Sequence, residues 1–318
     1  MAAYGHHIDR VETALTSPSA AGRSWLVSSW RRSAIVHKRD PGETTQMVRL
    51  DAQGLNDHLK QDATLHLSAS AELDRLFKIV GRPGSGLFLT NSDGIVLDRR
   101  WHDADAGVFG KLGLDRGAIC SEAYEGTNGM GTCLAEERLV IIDQDDHFRA
   151  TYTGFTCIGA PIFGTNGELV GAIDYSAAHP AKDPQGNLLL ASAVVQTAKR
   201  IEAALFHDAF RSHRIVVADG FSADDQSLFA INQDDFLIGA TRAARLAFKF
   251  GVGAPLEAYP AADILGQENA ARDIDEIRRA AILRALKRAA GNVSKASRQL
   301  GMGRATLYKQ MKRLGIRD

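Results

Sequence analysis

Three short amphipathic stretches separated by glycine turns fill Asp275 to Ile316, and they restrict the fold more tightly than any other segment of the chain. Over Asp275–Ala290, the apolar residues Ile277, Ala281, Ile282, Ala285, Leu286 and Ala289 recur at i, i+3 and i+4, which predicts a helix with one buried face. Gly291-Asn292 stops it, and Ser294 is placed to cap a second helix over Lys295–Leu300 by accepting from an early backbone N–H. Gly301 makes a tight turn. A third helix is expected over Arg304–Leu314, with Leu307, Met311 and Leu314 facing inward. The unit reads as all-α.

Charge singles out the same segment. Arg272–Asp318 holds thirteen basic and four acidic residues, a net +9, while the whole chain is neutral, so the remainder carries −9. A basic tail on an acidic body is the pattern of a nucleic-acid module joined to a body that avoids DNA. If the three helices form a helix-turn-helix, the third enters the major groove of double-stranded DNA. Its outward face offers Arg304, Thr306, Tyr308, Lys309, Lys312 and Arg313. Arg304 is placed to pair bidentately with a guanine, whereas Lys309, Lys312 and Arg313 suit phosphates. Ser294 and Lys295, at the start of the second helix, suit a phosphate anchor. The alternative is a three-helix interaction module whose basic face is incidental.

The run Gly291-Asn292-Val293-Ser294-Lys295-Ala296-Ser297, followed by Leu300-Gly301-Met302-Gly303-Arg304-Ala305-Thr306-Leu307-Tyr308-Lys309, resembles the Fis-type helix-turn-helix of bacterial enhancer-binding activators. That resemblance implies a dimeric DNA reader, hence a homodimer. Gly303 departs from the Ser or Asn usual in that family, which removes a cap or a base contact.

The 318 residues suggest two or three domains. Ile8–Val36, with Trp25, Trp30 and Arg31-Arg32, reads as helix before the Pro41-Gly42 break. Leu55, Leu59, Leu65, Leu73, Leu76, Phe77 and Val80 recur at helical spacing as far as the Gly81–Gly84 stop. The period then changes. Gly86–Thr90 and Ile95–Arg99 flank Asn91-Ser92-Asp93-Gly94, and Cys157–Phe163 and Leu169–Ser176 flank Gly164–Gly167, two hairpin signatures. Val140–Asp143 is a further strand, and a helix over Gln185–Phe210 closes the unit. The class is α+β, with a central antiparallel sheet cupping a pocket. Ser227–Asn232 and Phe236–Phe248 suggest a small strand-strand-helix unit after it.

Ser121-Glu122, Gly126-Thr127-Asn128-Gly129-Met130-Gly131-Thr132, Asp146-His147-Phe148 and Cys157-Ile158-Gly159-Ala160-Pro161-Ile162 together resemble the GAF sensor domain of the acetoin-catabolism-regulator family. Ser29-Trp30-Arg31 resembles the Ser-Trp-x-Arg segment preceding that domain. The implied organisation is an N-terminal helical segment over 1–54, a GAF-like sensor over 55–210, a linker or abbreviated PAS-like unit over 211–268, and the DNA-binding domain over 269–318. The resemblance implies a small-molecule effector in the GAF pocket and no fixed cofactor. Candidate lining residues are Phe88, Trp101, Cys120, Glu122, Thr127, Asn128, Cys133, His147, Phe148 and Cys157.

The residues themselves leave alternatives open. The glycine run reads either as a structural loop, capped by Thr127 and Asn128 with Glu122 bonding its backbone, or as backbone N–H groups facing a ligand. Phe88, Trp101 and Phe155 read as core or as a ligand cage, and His147 as a pocket wall or a core histidine. The three cysteines fit inert packing, a redox sensor or, against their spacing, a metal site; without C-x-x-C they make neither a disulfide framework nor a zinc ribbon. Activators of this family carry a central ATPase, yet no G-x-x-x-x-G-K-[ST] occurs here, so no ATP hydrolysis is expected. Contact with RNA polymerase or with another activator takes its place. Two other functions compete: a GAF-type thiol reductase of free methionine sulfoxide, and a non-catalytic partner of a full-length activator. With no apolar run near the roughly 18 residues of a membrane span and no signal-peptide core in Met1–Arg10, a cytoplasmic protein without membrane partners is expected.

Overall fold

Strand β1 (Ser85–Asn91) is buried along its whole length, which an antiparallel strand achieves only when both faces of its sheet are covered. A computed structural model describes residues 2–16, 24–178, 183–218, 227–257, 259–261, 279, 281–283, 285, 286 and 288–316. In it, β1 pairs with β2 (Val96–Trp101) and β5 (Leu169–Ala178), and β4 (Phe155–Phe163) and β3 (Val140–Asp143) complete an antiparallel sheet of order β2-β1-β5-β4-β3. The alternation of a strand then divides the core. Leu87 and Leu89 pack on one face with Leu73, Leu76, Val194 and Ile201, from helices α4 (Ala63–Val80) and α8 (Pro184–Ala209). Phe88, between them in sequence, joins Phe109, Cys120, Met130, Cys133 and Cys157 on the other.

That second face is covered by short elements: α5 (Ala106–Gly110), α6 (Glu122–Glu125) and α7 (Gly129–Glu136). Both expected hairpins form. Asn91 Oδ1 accepts from Asp93 and Ile95 N–H, and Gly94 takes φ +80°, the left-handed backbone that favours glycine.

Two helices expected as single runs are broken. Ile8–Val36 falls into α1 (Ala2–Thr16) and α2 (Trp25–Arg31), the latter running into a π-turn over Arg32–Val36. Leu55–Val80 falls into α3 (Ala52–Gln61) and α4, with Asp62 between them at φ −98°, ψ 21°. Apolar spacing continues across that break, so periodicity alone does not register it.

After α8 comes a second sheet of order β6-β7-β8-β9, antiparallel in its β6–β7 and β7–β8 pairs: β6 (Arg214–Ala218), β7 (Ser227–Ile231), β8 (Phe236–Ala240) and β9 (Tyr259–Pro260). Helix α9 (Arg242–Ala247) follows β8. The outer strands β6 and β9 add to the strand-strand-helix expected there. Arg245 is fully buried and donates to the carbonyls of Ala240, Gly251 and Ala254, holding the turn after α9.

Two compact units result, residues 1–259 and 260–318. In the second, the helix expected over Asp275–Ala290 lies partly outside the described residues. Its described residues Ile282, Ala285 and Ala289 are buried with Ala296, Leu307 and Met311. Helices α10 (Val293–Gln299) and α11 (Arg304–Arg313) flank Gly301, at φ +63°. The cap of α10 differs from the expected one: Asn292 Oδ1, not Ser294, accepts from Lys295 N at 3.0 Å. Both residue types are good caps, and the apolar phase of Val293, which packs on the core, decides between them. Ser294 sits inside the first turn, where its carbonyl accepts from Ser297 Oγ and Arg298 Nε.

Candidate functional site

The expected sensor residues separate into two groups. Phe88, Trp101, Cys120, Cys133 and Cys157 pack with Phe109 and Phe155 in one apolar core cluster, where the aromatic rings serve as core. Trp101 stacks on Phe109 at 5.2 Å between centroids, and the Arg99 guanidinium lies 3.7 Å from the Trp101 ring centroid. Glu122, Thr127 and Phe148 instead hold the N-terminal segment. Ser29 Oγ lies 2.6 Å from both Glu122 Oε1 and Thr127 Oγ1, and Arg32 donates to Glu122 and, at 2.9 Å, to Glu136. Phe148 packs on Val11 and Trp30. The Ser-Trp-x-Arg segment is therefore built into the domain by these residues.

The glycine run is explained by close packing. Asn128 caps α7, its Oδ1 accepting from Gly131 N at 2.9 Å while its Nδ2 donates to the Cys120 and Gly126 carbonyls. A Cβ on Gly129 would lie 2.2 Å from Asp174 Oδ1, and one on Gly131 2.4 Å from the Cys120 carbonyl oxygen. Only glycine lets α7 approach the strands this closely. Glu122 does not bond the backbone of this run as expected; its carboxylate is taken by Ser29 and Arg32.

Beneath α7 runs a buried polar chain. His147 Nδ1 meets the Gln144 carbonyl at 3.0 Å; with that nitrogen donating, Nε2, 3.3 Å from Cys157 Sγ, is left to accept from the thiol. Cys157 Sγ lies 3.2 Å from Ser176 Oγ, and Ser176 donates to Asp174 Oδ2 at 2.6 Å. Asp174 Oδ1 has no partner among the described residues. Burial pushes the Asp174 carboxyl up to about 7 and the His147 imidazole down to about 4. Burial also pushes all three thiols up, helped by the Glu125 charge at Cys120 and the Asp174 charge at each. The imidazole and the thiols are thus held neutral at pH 7 while Asp174 titrates near it, and thiolate chemistry of the sort a reductase needs is disfavoured.

Sequence reasoning missed Asp174 and Ser176, although an acid inside the apolar run Leu169–Tyr175 is itself a signal. It also missed a buried ion pair next to this cluster. Arg149 and Glu125, 1% and 2% exposed, are joined directly; Tyr152 donates to the same carboxylate, and Arg149 Nη2 donates to the Thr45 carbonyl at 2.6 Å. Burial raises the Glu125 carboxyl against the opposing pull of Tyr152 and Arg149.

In the second unit, Lys295, Arg304, Thr306, Tyr308, Lys309, Lys312 and Arg313 are exposed and Ser294 is half-buried. Thr306, Lys309 and Arg313 line a shallow concavity with Ala305 and Gln310. The Arg304 guanidinium lies 5.8 Å from the Tyr308 ring centroid, a contact that restrains it at the start of α11. Gly303 stands at the N-cap of α11 without a side-chain bond. Leu307 and Met311 fix the opposite face in the core.

Known proteins share both parts. Residues 274–314 match the family described as bacterial regulatory protein, Fis family. The acetoin catabolism regulatory protein of Cupriavidus necator is 31% identical over 76% of this chain and 36% of its own length. The propane 2-monooxygenase operon transcriptional activator MimR of Mycolicibacterium smegmatis is 29% identical over 60% of this chain and 32% of its own. This chain spans about a third of the length of these relatives. The crystal structure of the E. coli DhaR(N)-DhaL complex shares the fold, with a TM-score of 0.54 at 14% identity, covering 82% of this chain and 86% of that one. Residues 8–202, more than half the chain, match the family described as MimR, N-terminal domain, and the chain belongs to that family.

Proposed function

We propose that this protein is a DNA-binding transcription regulator that senses a small molecule through its five-stranded, GAF-type domain and acts without hydrolysing ATP. The observation that carries the reading is α11. Leu307 and Met311 anchor one face while Arg304, Thr306, Lys309, Lys312 and Arg313 stand exposed on the rest, the arrangement of a major-groove reader. The relatives support it, being regulators whose names tie them to acetoin catabolism and a propane 2-monooxygenase operon; a small metabolite is the matching signal. The protein works as a cytoplasmic homodimer. The apolar cluster beneath α7, opened around its buried polar chain, receives the effector, and binding shifts the population between two dimer geometries. Without a phosphate-binding loop in the sequence, its output is direct contact with RNA polymerase or with another activator.

Selection of genomic fragments retained by the purified full chain tests this. A recurring site, bound without nucleotide, is the expected result. Retention only when a second regulator is present would make the protein an accessory of that regulator.

A further inference from the structure

Helix α8, strand β4 and the small second sheet enclose a groove of about 350 Å³ that no sequence motif announces. Val195 and Ala203 of α8, Pro161 and Phe163 of β4, and Leu228 and Leu246 from the side of the second sheet give it an apolar lining. This volume lies within the roughly 300–1,000 Å³ of small-molecule sites, which favour seams of this kind. The seam is clamped at one end. Arg242 donates to the Gly167 carbonyl and to Glu137, each at 2.8 Å, with its guanidinium 3.9 Å from the Phe163 ring centroid.

Glu202 is the one carboxylate among the groove's described lining residues. It accepts from Phe163 N at 3.0 Å and makes no other hydrogen bond to a described residue. The lining cations have other contacts, Arg200 with Glu72 at 2.6 Å, Arg242 with Glu137 and Lys199 with a group of its own, while the charges of Lys199 and Arg242 both act on Glu202 from a distance. Burial pushes the Glu202 carboxyl up to about 7, consistent with an acid lacking a counter-ion in contact.

We propose that this groove binds a small organic ammonium ion, its apolar body along the lining and its N–H donated to the Glu202 carboxylate. Such a ligand bridges α8 and the second sheet and stabilises their seam by binding the folded form alone. The site shares no residue with the apolar cluster beneath α7 or with α11, so it holds or falls without the regulatory reading.

The test is saturation-transfer NMR on the full chain with cyclohexylamine, beside cyclohexanol and cyclohexanecarboxylate. Cyclohexylamine should bind, and the two controls should bind at least roughly tenfold more weakly, the difference made by a charge-assisted hydrogen bond. Its affinity should rise as the pH passes upward through about 7, where Glu202 ionises opposite Lys199, Arg200 and Arg242. Glu202→Gln should weaken binding by a similar factor. Ala243→Phe, which fills the groove from α9, should abolish it at an unchanged melting temperature; if that variant melts early, Leu246→Trp, at a side chain already 62% exposed, fills the same space. No binding of the amine, equal binding of cyclohexanol, or binding that survives the groove-filling variants would overturn the proposal.

Discussion

The core beneath α7 and the outer face of α11 both gather polar side chains, but they use them in opposite ways. Beneath α7, His147, Cys157, Ser176 and Asp174 bond one another out of water, with Asp174 Oδ1 left over among the described residues, and the adjoining Arg149–Glu125 pair is fully enclosed. On α11 the polar side chains face solvent over a small apolar core. Removing a buried partner strands the other, whereas removing an exposed one changes what the surface binds. Substitutions in the first region should therefore register as stability, and those in the second as affinity.

The largest effect expected is that of Arg149→Ala. It leaves Glu125 buried without its cation and should lower unfolding stability by about 3–5 kcal/mol in a denaturant titration. A loss below about 1 kcal/mol, the range of exposed pairs, would erase the contrast.

Next comes Asp174. As pH rises from about 4 to about 7, the unfolded chain sheds this proton while the folded chain keeps it, so stability should fall across that window. Asp174→Asn should flatten the fall and stabilise the protein by roughly 1–4 kcal/mol above pH 7. Glu202, also pushed up to about 7, acts with the same sign, so part of the slope remains. Unfolding titrations of both proteins at pH 5 and pH 8 read this directly, and parallel slopes would mean that Asp174 is not the group responsible.

The smallest effect separates two candidate caps. Asn292→Ala should cost about 1 kcal/mol by freeing the Lys295 N–H, whereas Ser294→Ala, whose hydroxyl caps nothing, should change stability by no more than about 0.5 kcal/mol. The reverse order would restore the cap read from sequence.

These positions also show what the sequence makes legible. Strand alternation, hairpin turns and the two apolar stretches that became α10 and α11 are local signals, and each led to the right kind of element. Their boundaries were less visible, because Asn292 and Ser294 have equal capping chemistry and the apolar spacing runs through the break at Asp62. What a motif residue touches was not legible. Glu122 and Thr127 belong to the same motif as Asn128, yet their partners are Ser29 and Arg32, more than ninety positions away or at ninety. The groove at Glu202 combines three elements distant in sequence and carries no motif at all.

The most direct measurement is fluorescence anisotropy of a selected DNA site with the wild-type chain and Arg304→Ala, accompanied by melting curves of both. The expected result is tight, nucleotide-independent binding by the wild type, loss of at least about 1–3 kcal/mol of discrimination for the selected site in the variant, and superimposable melting curves. Normal binding of that site by Arg304→Ala would contradict the assignment of α11 as the reading helix.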